Sequence, residues 1–279
     1  MDWKNLSQRV AVAVVAAPLI LWAAWYGSLP FFIFIETIIL LGLLEFYQLT
    51  QAKGMQPNRL LGVIAGLALG AQIYFRGSGE LVEPWVTAML FVVLLVIVEL
   101  FRNKGSALHN TGATLLGFAY VAGLWSFLLL IRELPHRLNI DYASAGTWLV
   151  MLLVTIWVCD TAAYFTGRAF GRHKLFERVS PKKTWEGAMG GLIFAVLMAV
   201  ASHYWFVRDL RLVDVIIIGL IIGTVGQMSD LAESLFKRDA GVKDSSSLIP
   251  GHGGVLDRFD SEMLVAPLVY LYLVLMTSQ

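Results

Sequence analysis

The sequence predicts an all-α polytopic membrane protein of about nine transmembrane helices, with polar cytoplasmic loops. Apolar residues make up 58% of the chain and charged residues 15%, against about 45–50% and about 25% in soluble domains. Apolar runs long enough to cross a hydrocarbon core about 30 Å thick recur from end to end. Such runs must be helical, because backbone polar groups left unpaired in lipid cost too much.

The first run, 8–26, follows the polar MDWKNLSQRV and shows no small-residue cleavage site, so it is read as a retained helix and not a signal peptide. The next runs are 30–49, 60–75 (short and Gly-rich), 84–101 and 111–131. The remaining ones are 146–167, 186–207, 213–235 and 261–277. Trp22, Trp25, Trp85, Trp148, Trp185 and Trp205 fall near run ends, where interfacial indoles gather. The chain divides into an N-terminal membrane region, 1–140, with short loops, and a C-terminal region, 141–279, with two long polar inserts. The one cysteine, Cys159, excludes an intrachain disulfide and a cysteine metal cluster.

Lys and Arg set the orientation. With nine spans, sixteen of the 21 lie on the side of the N-terminus, including all those in 168–184 and 237–260. That side is expected to be cytoplasmic, in a cell inner membrane.

The chemistry is expected in the inserts. The eighth span ends TVGQMSDLAESLFKR, which puts Asp230, Glu233, Ser234 and Lys237 on one helix face. A carboxylate about two turns inside a span needs a partner, ideally a cation; the alternative to a functional role is an ion pair with a basic residue of another span or a protonated carboxyl. The loop after it offers more. Lys237, Arg238 and Lys243 are cations for phosphates, with Lys237 and Lys243 expected at the rim. Asp244 and Ser245 to Ser247 add polar groups. Pro250, Gly251, His252, Gly253 and Gly254 form a turn whose glycines let backbone N–H groups approach an anion. Asp257 and Asp260 add carboxylates. Carboxylates without cysteine suit a hard cation such as Mg2+, which binds a few of them together with substrate phosphates. Cations plus such a metal describe a nucleotide polyphosphate site. Positive-inside anchoring or anionic lipid binding covers Lys237 and Arg238, but not Asp257, Asp260 or the glycines.

The other insert reads CDTAAYFTGRAFGRHKLFERVSPKKTWEG. Asp160 lies in the sixth span. Ser180, Pro181, Lys182, Lys183 and Thr184 precede the seventh, which Thr184 is placed to cap. No Walker A loop is present, and lipid-head anchoring by Lys182 and Lys183 is the alternative. Glu45 and Glu99, near cytoplasmic ends, are read as snorkelling or capping, and Glu36 is unassigned.

From Ser234 to Asp260, the series Ser234-x-Phe236-Lys237-Arg238-x4-Lys243-Asp244-x-Ser246-x2-Ile249-Pro250-x-His252-Gly253-Gly254-Val255-x-Asp257-Arg258-Phe259-Asp260 resembles the signature of the phosphatidate cytidylyltransferases, or CDP-diacylglycerol synthases. The stretches CDTAAYFTGRAFGRHKL and SPKKTWEG look like that family's too. Ser229 departs from the glycine often found there. The resemblance implies transfer of CMP from CTP to phosphatidate for phospholipid biosynthesis, with Mg2+ as cofactor. It implies Asp230 and Asp257 as the metal-binding, catalytic pair, and Lys237, Arg238 and Lys243 on the triphosphate. Ser180, Lys182, Lys183 and Thr184 would hold a second phosphate. Ser234, Asp244, His252, Gly253, Gly254 and Arg258 would orient the substrates. The partners implied are CTP, phosphatidate and the bilayer, with no nucleic acid; a homodimer is left open. Two other classes stay open: a CTP-dependent polyprenol or lipid kinase, and an ion-coupled transporter that uses Asp160 and Asp230.

Overall fold

The computed structural model describes residues 3–75, 83–138, 140–249 and 253–277. The chain is helical nearly throughout. Helices α1 (Trp3–Tyr26), α2 (Ser28–Ala52), α3 (Arg59–Phe75) and α4 (Pro84–Arg102) are followed by α5 (Ala107–Gly117), which runs through a π-helical turn, Phe118–Gly123, into α6 (Leu124–Arg132). After the one-turn α7 (Pro135–Leu138) come α8 (Tyr142–Phe170), α9 (Trp185–Trp205) and α10 (Leu212–Ile221). A second π-helical turn, Ile222–Gly226, joins α10 to α11 (Gln227–Asp239), and α12 (Asp260–Thr277) closes the chain. The predicted runs lie on helix, except that 206–207 follow the end of α9. Among the described residues, six helical stretches have the length and hydropathy to cross a membrane, 28–52, 84–102, 107–132, 142–170, 185–205 and 212–239, and Arg59–Phe75 is a shorter apolar helix. The protein is a multi-pass, all-α membrane protein.

The insert after α8 is not a plain loop. Strands β1 (Lys174–Phe176) and β2 (Ser180–Thr184) pair antiparallel, with Lys174 opposite Thr184 and Phe176 opposite Ser180. Short alternating stretches without an apolar run give little warning of a two-stranded hairpin.

The chain gathers into two compact units, neither contiguous in sequence. The first comprises 1–23, 27–130 and 236–258, and the second 24–26, 131–235 and 259–279. Residues 236–258 thus belong with the N-terminal helices.

In the first unit the glycines of α3 explain its composition. Gly62, Gly66 and Gly70 recur every four residues and so share a face. A Cβ on Gly62 would fall 2.0 Å from the Tyr47 hydroxyl, and one on Gly66 2.7 Å from Leu43 Cδ1, so the stripe lets α2 approach. Tyr47 donates to the Thr114 carbonyl at 3.1 Å.

In the second unit α8 and α9 pack along small residues. A Cβ on Gly187 would sit 2.8 Å from the Ala163 carbonyl, and one on Gly190 2.2 Å from Thr166 Oγ1. Arg132 is 1% exposed. Its guanidinium donates to the carbonyls of Ala24, Trp25 and Tyr26, which end α1, and to that of Tyr142. Trp148, expected at an interface, is instead a core residue, with Nε1 donating to Asp209 at 2.8 Å. The other five indoles of that set are exposed.

Candidate active site

The first unit carries the polar segment 236–258. Gly241, at φ +74°, turns the chain out of α11, and Val242 N–H returns to the Lys237 carbonyl at 3.0 Å. The segment ends in a 3-10 turn, Leu256–Arg258. Lys237, expected at an exposed rim, is buried, and its ammonium meets Asp257 Oδ1 at 2.5 Å. The other oxygen, Asp257 Oδ2, accepts from Ser245 N–H, Ser245 Oγ and Gly254 N–H, each at 2.8 Å. Burial by itself would raise the Asp257 carboxyl, but Lys237 and the Gly254 and Ser245 donors outweigh it and hold it below the usual carboxylate range.

This loop is organised by a residue about 200 positions earlier. Glu45 of α2 is 3% exposed and has two donors within hydrogen-bond distance of each oxygen, one of which, the Ser245 hydroxyl, has a single proton to share between Glu45 and Asp257. Oε1 takes Ser246 Oγ at 2.6 Å and Val255 N–H at 2.9 Å. Oε2 takes Leu256 N–H at 2.8 Å and Ser245 Oγ at 3.1 Å. Ser245 Oγ therefore stands between two carboxylates, those of Glu45 and Asp257. The glycine at 254 is required here: a Cβ would fall 2.0 Å from Ser245 Oγ and 2.6 Å from Glu45 Oε2. Glu45 neither snorkels nor caps; it is the anchor of the loop. Sequence reading missed it because its partners are backbone amides and serines, which leave no complementary charge to find.

The second unit carries Asp230 on α11. Its Oδ2 meets the Lys183 ammonium at 2.6 Å, and Ser234 Oγ donates to its Oδ1 at 3.3 Å. The cation thus comes from the hairpin insert and not from another span. The hairpin is tied to α9: Thr184 Oγ1 accepts from Gly187 N–H at 3.2 Å, the expected cap, and Glu186 accepts from the N–H groups of Arg172 and His173. Asp160, Asp230, Glu233 and Glu262 all lie within electrostatic reach of Asp260. Both Glu262 oxygens are buried without a hydrogen-bond partner among the described residues. Ser229, the departure from glycine, is buried; its hydroxyl donates to the Asp260 carbonyl and accepts from Leu264 N–H at 3.2 Å, joining α11 to α12.

The model of the cytidylyltransferase family matches residues 7–276. The chain belongs to that family. Among curated relatives, a phosphatidate cytidylyltransferase of Synechocystis is 32% identical over 97% of both chains. One of Bacillus subtilis is 31% identical over 97% of this chain and 98% of its own. One of Haemophilus influenzae is 34% identical over 94% of each.

The other predicted family residues fall as follows. Arg238 is exposed and donates to the Val242 carbonyl at 2.9 Å. Lys243, Asp244, Arg258 and Lys182 are exposed, and Ser180 and Gly253 are half-buried. His252 lies outside the described residues. Each carboxylate expected as a metal ligand holds a lysine: Asp230 holds Lys183 and Asp257 holds Lys237. Among the described residues no three His, Cys, Asp or Glu converge as a metal cage. Carboxylate donors without cysteine are the ligand type of a hard cation such as Mg2+, which usually takes one or two carboxylates and completes its shell with water and phosphate.

Proposed function

We propose that the protein transfers CMP from CTP to phosphatidate, giving CDP-diacylglycerol and pyrophosphate, with Mg2+ and on the cytoplasmic face of a bacterial inner membrane. The observation that carries this reading is the near-full-length likeness to relatives that bear the name phosphatidate cytidylyltransferase. Nothing in these comparisons supports the kinase or transporter readings. The orientation rests on the sixteen of 21 basic residues assigned to one side.

In the reaction, an anionic phosphate oxygen of phosphatidate attacks the α-phosphorus of CTP. The bond from that phosphorus to the β-phosphate oxygen breaks, and its electron pair leaves with pyrophosphate. The attacking oxygen carries its charge already, so no strong general base is needed. The barrier is chiefly the approach of two anions, which cations lower by neutralising and aligning them. Lys237, Arg238 and Lys243 meet the triphosphate and the leaving pyrophosphate. Lys182 and Lys183 meet the second phosphate, with Ser180 beside them and Thr184 fixing the hairpin by its cap. Asp230 and Asp257 would hold Mg2+, which when bound supplies charge neutralisation and alignment of phosphoryl oxygens. Asp257 also positions Lys237. Ser234 steadies Asp230, while Gly253 and Gly254 shape the loop. Asp244, His252 and Arg258 orient the substrates.

The test is incubation of purified full-length protein with phosphatidate and CTP labelled at the α- or the γ-phosphate, with and without Mg2+. The α-label should enter lipid only with Mg2+, and the γ-label should leave as pyrophosphate. Entry of the γ-label into lipid would establish a kinase and overturn the reading.

A further inference from the structure

A second cationic site lies in the first unit, on residues the proposed reaction does not use. A cavity of about 620 Å³ is lined by Gly54, Gln56, Asn58, Arg59, Arg102 and Lys104, among others. None of its lining residues is acidic. Its back wall is a buried, satisfied network. Arg102 Nη1 meets Glu99 at 2.5 Å, Asn110 Nδ2 donates to Glu99 at 2.9 Å, and Gln56 N–H donates to Asn110 Oδ1 at 2.7 Å. Arg102 Nη2 donates to the Gln56 carbonyl at 3.0 Å. Glu99, Asn110 and Thr114 are all buried. Glu99 balances Arg102, which leaves Arg59 and Lys104 uncompensated.

Arg59 is the informative residue. Its Nε is buried with no hydrogen-bond partner among the described residues, and Nη2 makes a long contact of 3.5 Å to the Leu44 carbonyl. It is also the first residue of α3, whose first turn has no acid. A cation there faces the positive end of the helix dipole, where stability alone favours an anion. Lys104 is exposed and pairs with no acid among the described residues. Two unbalanced cations, a helix N-terminus and an orphaned guanidinium N–H are mutually repulsive until an anion joins them. Topology alone asks for basic residues near a helix end, not for a buried donor with no acceptor.

The helix ends around the cavity carry some of the most exposed large apolar side chains in the protein: Leu60 at 72%, Leu100 at 76%, Phe101 at 79% and Leu108 at 81%. A polar, cationic pocket beside bare apolar side chains matches an amphiphile, charged at one end and hydrocarbon at the other.

We infer that this cavity binds the phosphate of an anionic phospholipid headgroup, at a site separate from the substrate phosphates. Phosphate chemistry is shared by free phosphate and by lipid, and the apolar rim assigns the site to lipid. The test uses full-length protein in neutral detergent and lipid binding counted by native mass spectrometry. The probes are phosphatidylglycerol, phosphatidylcholine, glycerol phosphate and inorganic phosphate. The variants are Arg59→Gln, Lys104→Gln and both together, with Lys53→Gln as a control for diffuse surface charge. Wild type should prefer phosphatidylglycerol to phosphatidylcholine by at least about tenfold, a preference the double variant loses and Lys53→Gln keeps. Exposed Lys104 tests the site by itself if the Arg59 variants do not fold; its single variant should lose at least about threefold. Equal binding of the two lipids, or an equal loss in Lys53→Gln, overturns the site. Inorganic phosphate that binds as tightly as phosphatidylglycerol overturns the lipid assignment.

Discussion

Replacing Glu45 by Gln isolates the anchor of the polar loop. Gln keeps the volume but exchanges one acceptor oxygen for an NH2 group. The remaining oxygen can still serve one of the two pairs, Ser246 Oγ with Val255 N–H or Leu256 N–H with Ser245 Oγ. The serine hydroxyls can rotate away from the new NH2, but a backbone N–H cannot. One buried amide is therefore left facing a donor, at a cost of about 1–3 kcal/mol, and the surviving bonds lose their charge assistance. A total near 2–3 kcal/mol raises the open population of the loop by roughly 30- to 150-fold, at about 1.36 kcal/mol per tenfold. The direct readout is amide hydrogen exchange over residues 249–258 in detergent, which tracks local opening. Val255 and Leu256 should exchange faster by that factor, while α8 and α9 stay protected. Turnover should fall with it, since Lys237 and Asp257 sit on the same loop. If both amides exchange at the wild-type rate, Glu45 does not hold the loop.

Five further outcomes are expected. Asp257→Asn keeps its volume but loses the charge that pairs with Lys237, so turnover with labelled CTP should fall at least about 10²-fold; Lys237→Ala should raise KM for CTP as well as lower kcat. Asp257 is held below the usual carboxylate range, so its stabilising contribution is full above its unfolded value of about 3.9 and fades only as pH falls through the folded one. The acid limb of kcat/KM should then show no inflection from Asp257 above about pH 4. Arg132→Ala strands the carbonyls that end α1 and should destabilise by at least about 1–3 kcal/mol, the cost of one buried acceptor left unpaired. Cys159, buried in the same unit, offers a thiol-dye readout, and an unchanged unfolding midpoint would refute the role. A single cysteine at Ser246, in a Cys159→Ala background, should resist membrane-impermeant labelling from outside intact cells; external labelling would invert the topology.

Helices were legible because hydropathy and length are local, so the predicted runs fell on helix to within two residues, and Thr184 capped α9 as expected. The signature residues were legible as a linear pattern. What could not be read was which distant element each would meet. Trp148 looks like any interfacial indole until Asp209 is seen at its Nε1. Lys183 looks like a free phosphate ligand until it meets Asp230, and Lys237 like a rim cation until it is found buried on Asp257. Glu45 is the extreme case, since its partners carry no charge. The π-helical turns leave no periodic trace, because the one-residue slip is absorbed inside a continuous apolar run.

The tie between Glu45 and the loop bears on how the protein is made. Ser245 follows Glu45 by 200 positions. At synthesis rates of about 5–20 residues per second, α2 is in place some 10–40 s before its partners leave the ribosome. For that interval a carboxylate destined for burial lacks its donors, so it must stay hydrated at the membrane edge. Chains stopped before residue 245 would keep that acid without its donors.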